Sequence, residues 1–190
     1  MPGFKLSPNR AANEFYPTPP EATRAFLTAE TFDGSIWEPA CGKGHIAKEL
    51  IAHGYETVST DLADYGYGDG QCDFLDTDIP RAKHIITNPP YGRGLADAFV
   101  KKSLAHIAVT GGRAAMLINL ASLAHPTRHS SFIKRRPARI YILDECICYP
   151  NGDPRQATDR TRQHRYCWAV WTAAPTDQTV TDWLTTRTTH

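Results

Sequence analysis

The chain has 190 residues, 41% of them hydrophobic and 22% charged, with a formal net charge of +1. Those proportions describe an ordinary globular domain, long enough to bury roughly 70% of the surface of its unfolded chain. No apolar run reaches the ~18 residues of a membrane span, and Met1 to Arg10 holds no apolar leader core. Five dispersed cysteines, an odd number, fit reduced thiols better than a disulfide framework, so the expectation is a soluble, cytoplasmic protein without a membrane partner.

The near-neutral total hides an asymmetry. Residues 128–165 carry nine basic against four acidic side chains, a local net of +5, which leaves −4 for the rest. Such a segment suits a phosphate-binding face, or equally an arginine-rich solvated loop.

In chain order, residues 1–12 are polar and expected to fray, while 13–190 form the single expected domain. Pro19-Pro20-Glu21 opens a helix running to about Leu27, with proline and an acid in its first turn. Ser35 to Ala40 reads as the first strand. Cys41-Gly42-Lys43-Gly44 is a turn, and Ile46, Leu50 and Ile51 recur behind it at helical spacing up to Gly54. Glu56 to Asp61 is β-branched and reads as the second strand. A Gly/Tyr/Asp loop over 63–70 leads to a short segment at Cys72-Asp73-Phe74-Leu75. His84 to Thr87 is a buried strand ending at Asn88. A helix with Leu95, Phe99, Leu104 and Ile107 on its buried face follows. Arg113 to Asn119 is the next strand, and a mostly helical crossover runs through Phe132-Ile133. Arg139 to Leu143 and Tyr166 to Trp171 are the last two strands, joined by a long connection over 144–165. Connections of that length are functional or disordered. Strands alternating with helices predict an α/β fold: a Rossmann-like sheet of seven strands, mostly parallel, the last antiparallel, flanked by helices.

Three stretches carry chemistry. Asn88-Pro89-Pro90-Tyr91 leaves its strand as a stiff extended turn, because neither proline has an N–H and the second restricts the first. It presents an amide, a carbonyl and an aromatic ring where ligands of open α/β sheets sit; the plain reading is a Pro-rich turn with an exposed tyrosine. In Glu38-Pro39-Ala40-Cys41-Gly42-Lys43-Gly44, two glycines at a strand-to-helix turn let the backbone approach a ligand. The turn is neither G-x-G-x-x-G nor a Walker loop. Glu38 at its start suits a cationic amino-acid moiety and would repel phosphate. Asp61, at the end of the second strand, is placed for ribose hydroxyls. Asp73 can accept from an adenine amine while Phe74 covers the ring.

Taken in order, Phe15-Tyr16-Pro17-Thr18-Pro19, Glu38 to Gly44, Asp61, Cys72-Asp73-Phe74 and Asn88 to Tyr91 resemble the motifs of S-adenosylmethionine-dependent DNA methyltransferases that methylate amines. More narrowly they resemble the N6-adenine branch in its small phage or prophage form, over residues 13 to about 172. The resemblance implies the class I methyltransferase fold and S-adenosylmethionine as cofactor. Tyr16 and Thr18 would contact its methionine end; Glu38, Ala40, Gly42 and Gly44 would line it. Asp61 would hold the ribose, and Asp73 with Phe74 the adenine. A flipped base would sit at Asn88, Pro89, Pro90 and Tyr91, and the setting would be a bacterial or phage-infected cell.

That pocket also makes sense chemically. The lone pair of adenine N6 is delocalised into the ring. If the Asn88 oxygen and the Pro89 carbonyl accept both N6 hydrogens, the lone pair localises and the developing positive charge faces two acceptor dipoles. A cytosine-C5 enzyme would need a nucleophilic cysteine here, and residues 85–95 contain none.

Arg93, Lys134, Arg135, Arg136, Arg155, Arg160 and Arg162 are expected near the catalytic face as phosphate contacts. Cys146, Cys148, His164 and Cys167 match no strong zinc spacing, and no metal is expected; His45, His125 and His129 receive no role. Only about 18 residues follow the last expected strand, too few for a target-recognition domain, so specificity falls to loops, a homodimer or a specificity partner. The expected partner is DNA. The alternatives are RNA (adenine N6 or guanine N2), a protein glutamine amide, or a non-catalytic module that binds nucleic acid or a partner.

Overall fold

Ile36 and Trp37 are neighbours in the first strand, both fully buried, and they belong to two different cores. Successive strand side chains point to opposite faces, so a strand apolar at both positions must be covered on both sides. In the computed structural model, which describes residues 15–124 and 134–187, the same alternation recurs along the sheet. Ile86, Ala115 and Leu117 join Ile36 on one face, and Ile85, Ala114, Met116 and Ile118 join Trp37 on the other. The first face is covered by helices α1 (Pro20–Ala29) and α2 (His45–Ala52), through Phe26, Ile46 and Leu50. The second is covered by α3 (Leu95–Thr110), through Phe99 and Ile107. Leu95 and Leu104, expected on that buried face, are half-buried, and Ser103 and His106 take the positions between.

The strands are β1 (Ile36–Glu38), β2 (Thr57–Asp61), β3 (Gly70–Gln71), β4 (His84–Thr87), β5 (Arg113–Asn119), β6 (Arg139–Leu143), β7 (Tyr166–Thr172) and β8 (Val180–Leu184), in the order β3-β2-β1-β4-β5-β7-β6-β8. The expected antiparallel strand, Tyr166 to Trp171, is β7, antiparallel to both neighbours and seated inside the sheet between β5 and β6. The count is corrected from seven strands to eight, because β8 follows β7 and pairs parallel with β6. The connection over 144–165 stays at the edge where β6 ends, so β7 starts there and must run backwards. Residues 173–179 stay at the opposite edge and return β8 forwards. The expected frayed segment 1–12, Asn13 and Glu14, and the crossover through Phe132 and Ile133 lie outside the described residues. Among the described residues no helix is long and apolar enough to cross a membrane.

Because β1, β2, β4, β5 and β6 run the same way, their carboxyl ends form one edge and their amino ends the other. The amino edge is locked by Glu30, the residue after α1, which is 2% exposed. Arg113 at the start of β5 donates to its Oε1. Arg139 Nη1 at the start of β6 (2.8 Å) and the Tyr141 hydroxyl (2.6 Å) donate to its Oε2. Glu30→Ala strips these three donors of their acceptor. The expected loss is about 3 kcal/mol, the low end for a broken buried ion pair because Arg139 is half-exposed. Urea denaturation checks it, and a loss under about 1 kcal/mol, the size of a surface ion pair, would contradict this reading.

Candidate active site

The carboxyl edge is built in layers, beginning with the turn after β1. Gly42 has φ of 51°, and a Cβ there would stand 2.5 Å from the Phe15 ring. Gly44 has φ of 76°, with the Tyr67 ring 2.3 Å from where its Cβ would be. Both positions therefore require glycine, for conformation and for space. The Gly42 N–H donates to Asp61 Oδ2 (2.8 Å), and Asp61 Oδ1 accepts from Ala63 (3.0 Å), so the acid ending β2 fastens the glycine turn to its own strand. Asp73 Oδ1 accepts from the Leu75 N–H (2.9 Å) and caps a single 3-10 turn, Phe74–Asp76.

These parts surround one cavity of about 290 Å³. Of the thirteen residues expected at the site, Tyr16, Thr18, Glu38, Ala40, Gly42, Asp61, Asp73, Phe74, Asn88, Pro89, Pro90 and Tyr91 line it. Gly44 does not: it starts α2 beneath the Tyr67 ring and shapes the turn from behind. The sequence reading missed Phe15, His45 and Tyr65, which also line the cavity. Phe15 stacks on Tyr65 with centroids 4.8 Å apart, so an aromatic pair bridges the segment before α1 and the loop after β2. Two tyrosines in a Gly/Asp loop directly after a strand-end acid were the available signal. His45 opens α2, and burial together with Lys48 and Lys43 lowers its pKa.

The tetrapeptide after β4 is tied down on both sides. Asn88 Nδ2 donates to the Tyr16 carbonyl (2.9 Å) and to Thr18 Oγ1 (3.1 Å). The Tyr91 hydroxyl lies 2.8 Å from Asn88 Oδ1 and 2.7 Å from the Leu117 carbonyl, while its ring forms part of the cavity wall. Burial pushes the Tyr91 pKa well up, so its proton stays in place.

Glu38 is 2% exposed and accepts from the Ala47 N–H (2.7 Å). Burial, with Asp61 nearby, raises its pKa well above the ordinary 4.5. Cys41 beside it is pushed up to about 12, mainly by burial, and is an inert thiol.

The basic residues divide between the two edges. Arg155 and Arg162 sit on the connection over 144–165, at the cavity's edge; the Asn151 N–H donates to the Phe15 carbonyl (2.9 Å) and attaches that connection to the cavity rim. Arg155 is 91% exposed and chelated by Asp153, with Nε to Oδ1 at 2.9 Å and Nη2 to Oδ2 at 3.0 Å. The backbone of Arg93 follows Tyr91, and that of Arg160 lies in the short helix α4 (Asp159–Gln163); their side chains are outside the described residues. Lys134, Arg135 and Arg136 do not lie near this face, contrary to expectation. They precede β6 and so stand at the amino edge, where Arg135 Nη2 donates to the Thr172 carbonyl (3.1 Å) and Arg136 Nη1 to that of Asp177 (3.0 Å).

The fold recurs in solved structures. A Listeria monocytogenes protein assigned to the class I S-adenosylmethionine-dependent methyltransferases superposes with a TM-score of 0.60 at 14% identity, over 95% of this chain and 68% of that one. The M protein of the type I restriction enzyme EcoKI gives 0.62 at 15% identity, over 88% and 48%. A type I restriction modification subunit assigned in Vibrio vulnificus gives 0.53 at 15%, over 90% and 46%. The fold is the class I methyltransferase fold. The chain spans about half the length of the two restriction proteins it matches. No protein-family model matches the chain, and no curated protein matches it in sequence.

In this fold Glu38 ends β1, and its raised pKa has a measurable consequence. Below about pH 4.5 both folded and unfolded chains hold the proton. Above it the unfolded chain releases its proton first, so the folded state binds more protons and Glu38 lowers stability as pH rises toward its folded pKa. Glu38→Gln keeps an acceptor for Ala47 without the charge. The variant should match the parent near pH 4 and be the more stable at pH 7–8. Urea titrations across pH read the difference, and a gap that stays constant with pH would contradict it.

Proposed function

We propose that the protein transfers a methyl group from S-adenosylmethionine to the exocyclic N6 amine of adenine in DNA, with the target base extruded into the cavity. The supporting observation is that Asn88 and the Glu38–Gly42 turn face a single cavity, so an amine acceptor and a site for a cationic cofactor lie within one ligand's length.

The residues present fit that cofactor. Glu38 is a buried carboxyl with one hydrogen bond, awaiting a positive partner. Asp61 and Asp73 each keep acceptor capacity beyond their backbone bonds, for ribose hydroxyls and an adenine amine. Phe74, packed on Trp37 and Phe99, offers an apolar wall. Tyr16, Ala40 and Gly42 complete the lining, and Gly44 holds the turn's shape. When bound, the cofactor supplies a methyl group on a cationic sulfur. The chain's own residues prepare the nucleophile. Asn88 Oδ1 and the Pro89 carbonyl accept the two N6 hydrogens, pull the nitrogen toward tetrahedral geometry and face the charge that develops there. Pro90 stiffens the turn, and the Tyr91 ring stacks on the base, an interaction worth roughly 1–3 kcal/mol.

In this reading residues 13–190 form one methyltransferase domain, and sequence choice falls to loops at the carboxyl edge, a second copy or a partner subunit. Arg93, Arg155, Arg160 and Arg162, on segments at the carboxyl edge, would make the phosphate contacts in this reading, whereas Lys134, Arg135 and Arg136 stand at the amino edge and would not.

Labelled methyl transfer to DNA tests the reaction. Asn88→Ala should lower kcat about 10²–10³-fold, the usual cost of one preorganised polar contact to developing charge. RNA and protein glutamine substrates run in parallel: transfer to either but not to DNA would reassign the substrate. Calorimetric cofactor binding without transfer to any of them would mark a non-catalytic module. Separately, the double change Arg155→Ala and Arg162→Ala should reduce the slope of log affinity for DNA against log salt by about one to two. Lys134→Ala with Arg136→Ala should leave it unchanged.

A further inference from the structure

An asparagine serves as an acceptor only if its oxygen, and not its nearly isosteric nitrogen, faces the donor. At Asn88 that choice is made by a partner with no proton to give. The Tyr16 carbonyl lies 2.9 Å from one end of the amide, which must therefore be Nδ2. Thr18 Oγ1, at 3.1 Å, takes the second Nδ2 proton, and Thr18 is 2% exposed, so water does not compete for that contact. Turning the amide over would set two carbonyl-type oxygens against each other at Tyr16. On the opposite side, the single proton of Tyr91 faces two acceptors, Asn88 Oδ1 and the Leu117 carbonyl, at nearly equal distances.

We propose that Thr18 is a positioning residue: with the Tyr16 carbonyl it holds the Asn88 amide so that Oδ1 is presented to the incoming amine. Tyr91 is the complementary part. Its hydroxyl keeps Oδ1 hydrogen-bonded while no amine is bound, and turns its proton to the Leu117 carbonyl when an amine hydrogen arrives. Asn88 Oδ1 then has a donor in either state. The inference rests on the methyl-transfer reading above and moves Thr18 from the methionine end of the cofactor to the amide.

Thr18→Val keeps the side chain's shape and removes the acceptor; Thr18→Ser restores it. At saturating cofactor, the valine variant should lose about 10- to 100-fold in kcat, below or at the lower end of the cost of removing a preorganised group outright. Its calorimetric affinity for S-adenosylmethionine should stay within about twofold, and the serine variant should recover most of the rate. A second readout does not depend on turnover. In ¹⁵N-labelled protein the Asn88 side-chain amide, assigned by its loss in Asn88→Asp, should give two slowly exchanging proton resonances. Thr18→Val should shift one and speed its exchange, and Thr18→Ser should restore both. Full kcat with unmoved amide resonances in the valine variant would overturn the proposal. So would weakened cofactor affinity with kcat intact, which would return Thr18 to the cofactor. If the parent protein transfers no methyl group to any amine, the functional reading fails by itself, and the amide resonances still decide how Asn88 is held.

Discussion

Parallel pairing of β1 with both β2 and β4 is the constraint on which the site depends. Ile36 lies opposite Thr57 on one side and His84 on the other, so three chain segments end at the same edge in fixed register. Glu38, Asp61 and Asn88 therefore leave the sheet side by side, although 50 residues separate the first from the last. Trp37 sits at the centre of this arrangement. Its ring lies nearly parallel to His106 and edge-on to Phe74, and its Nε1–H donates to Thr60 Oγ1 (2.9 Å). That one side chain links β1, β2, α3 and the wall of the cavity, and a buried indole needs such a partner for its N–H.

The sheet supplies only the floor. The rim comes from distant pieces of chain that satisfy one another's polar groups: Phe15 to Thr18, Asn88 to Tyr91, and Asn151. The Asn88 amide takes its acceptors from the segment before α1, and that segment's Phe15 carbonyl takes its donor from the connection before β7. A buried polar group without a partner costs about 1–3 kcal/mol. These reciprocal bonds therefore hold the three segments as a unit, and none would take its observed path alone. The connection over 144–165 accordingly behaves as structure: it buries Cys146, Cys148 and Pro150 and contains three short helical turns.

What could be read from residue order follows the same division. Long apolar strands such as Arg113 to Asn119, and helices opened by proline or closed by glycine, have strong local signals, and they fall within a few residues of the expected positions. β3 is two residues long and exposed, and β8, with Val180 and Trp183 largely exposed, has no buried face to impose a pattern. Both are made by pairing to an existing edge, which leaves little trace in composition. The motif residues were legible because they carry unusual chemistry, yet their partners were not. Nothing in the order of residues says that Thr18 reaches Asn88 or that Asp61 fastens Gly42. Lys134 to Arg136 misled for a topological reason: charge clustering says nothing about which end of a strand the cluster precedes.

Two buried glutamates on opposite edges show how differently this protein treats a charge. Glu30 is met by two guanidinium groups and a phenol, so its burial is compensated on every side and it joins α1 to β5 and β6. Glu38 is as deeply buried but has one backbone N–H and an acidic neighbour, and its carboxyl is driven toward the neutral form. Burying a carboxyl so poorly partnered lowers stability, and a glutamine would keep the same hydrogen bond. Local rules are broken this way mainly where function requires it. A cationic ligand beside Glu38 would supply the missing partner and would be held more tightly for finding a desolvated carboxyl. The same group that weakens the free protein would then give the bound one a selectivity for positive charge, which is the property that a sulfonium cofactor beside Asn88 would need.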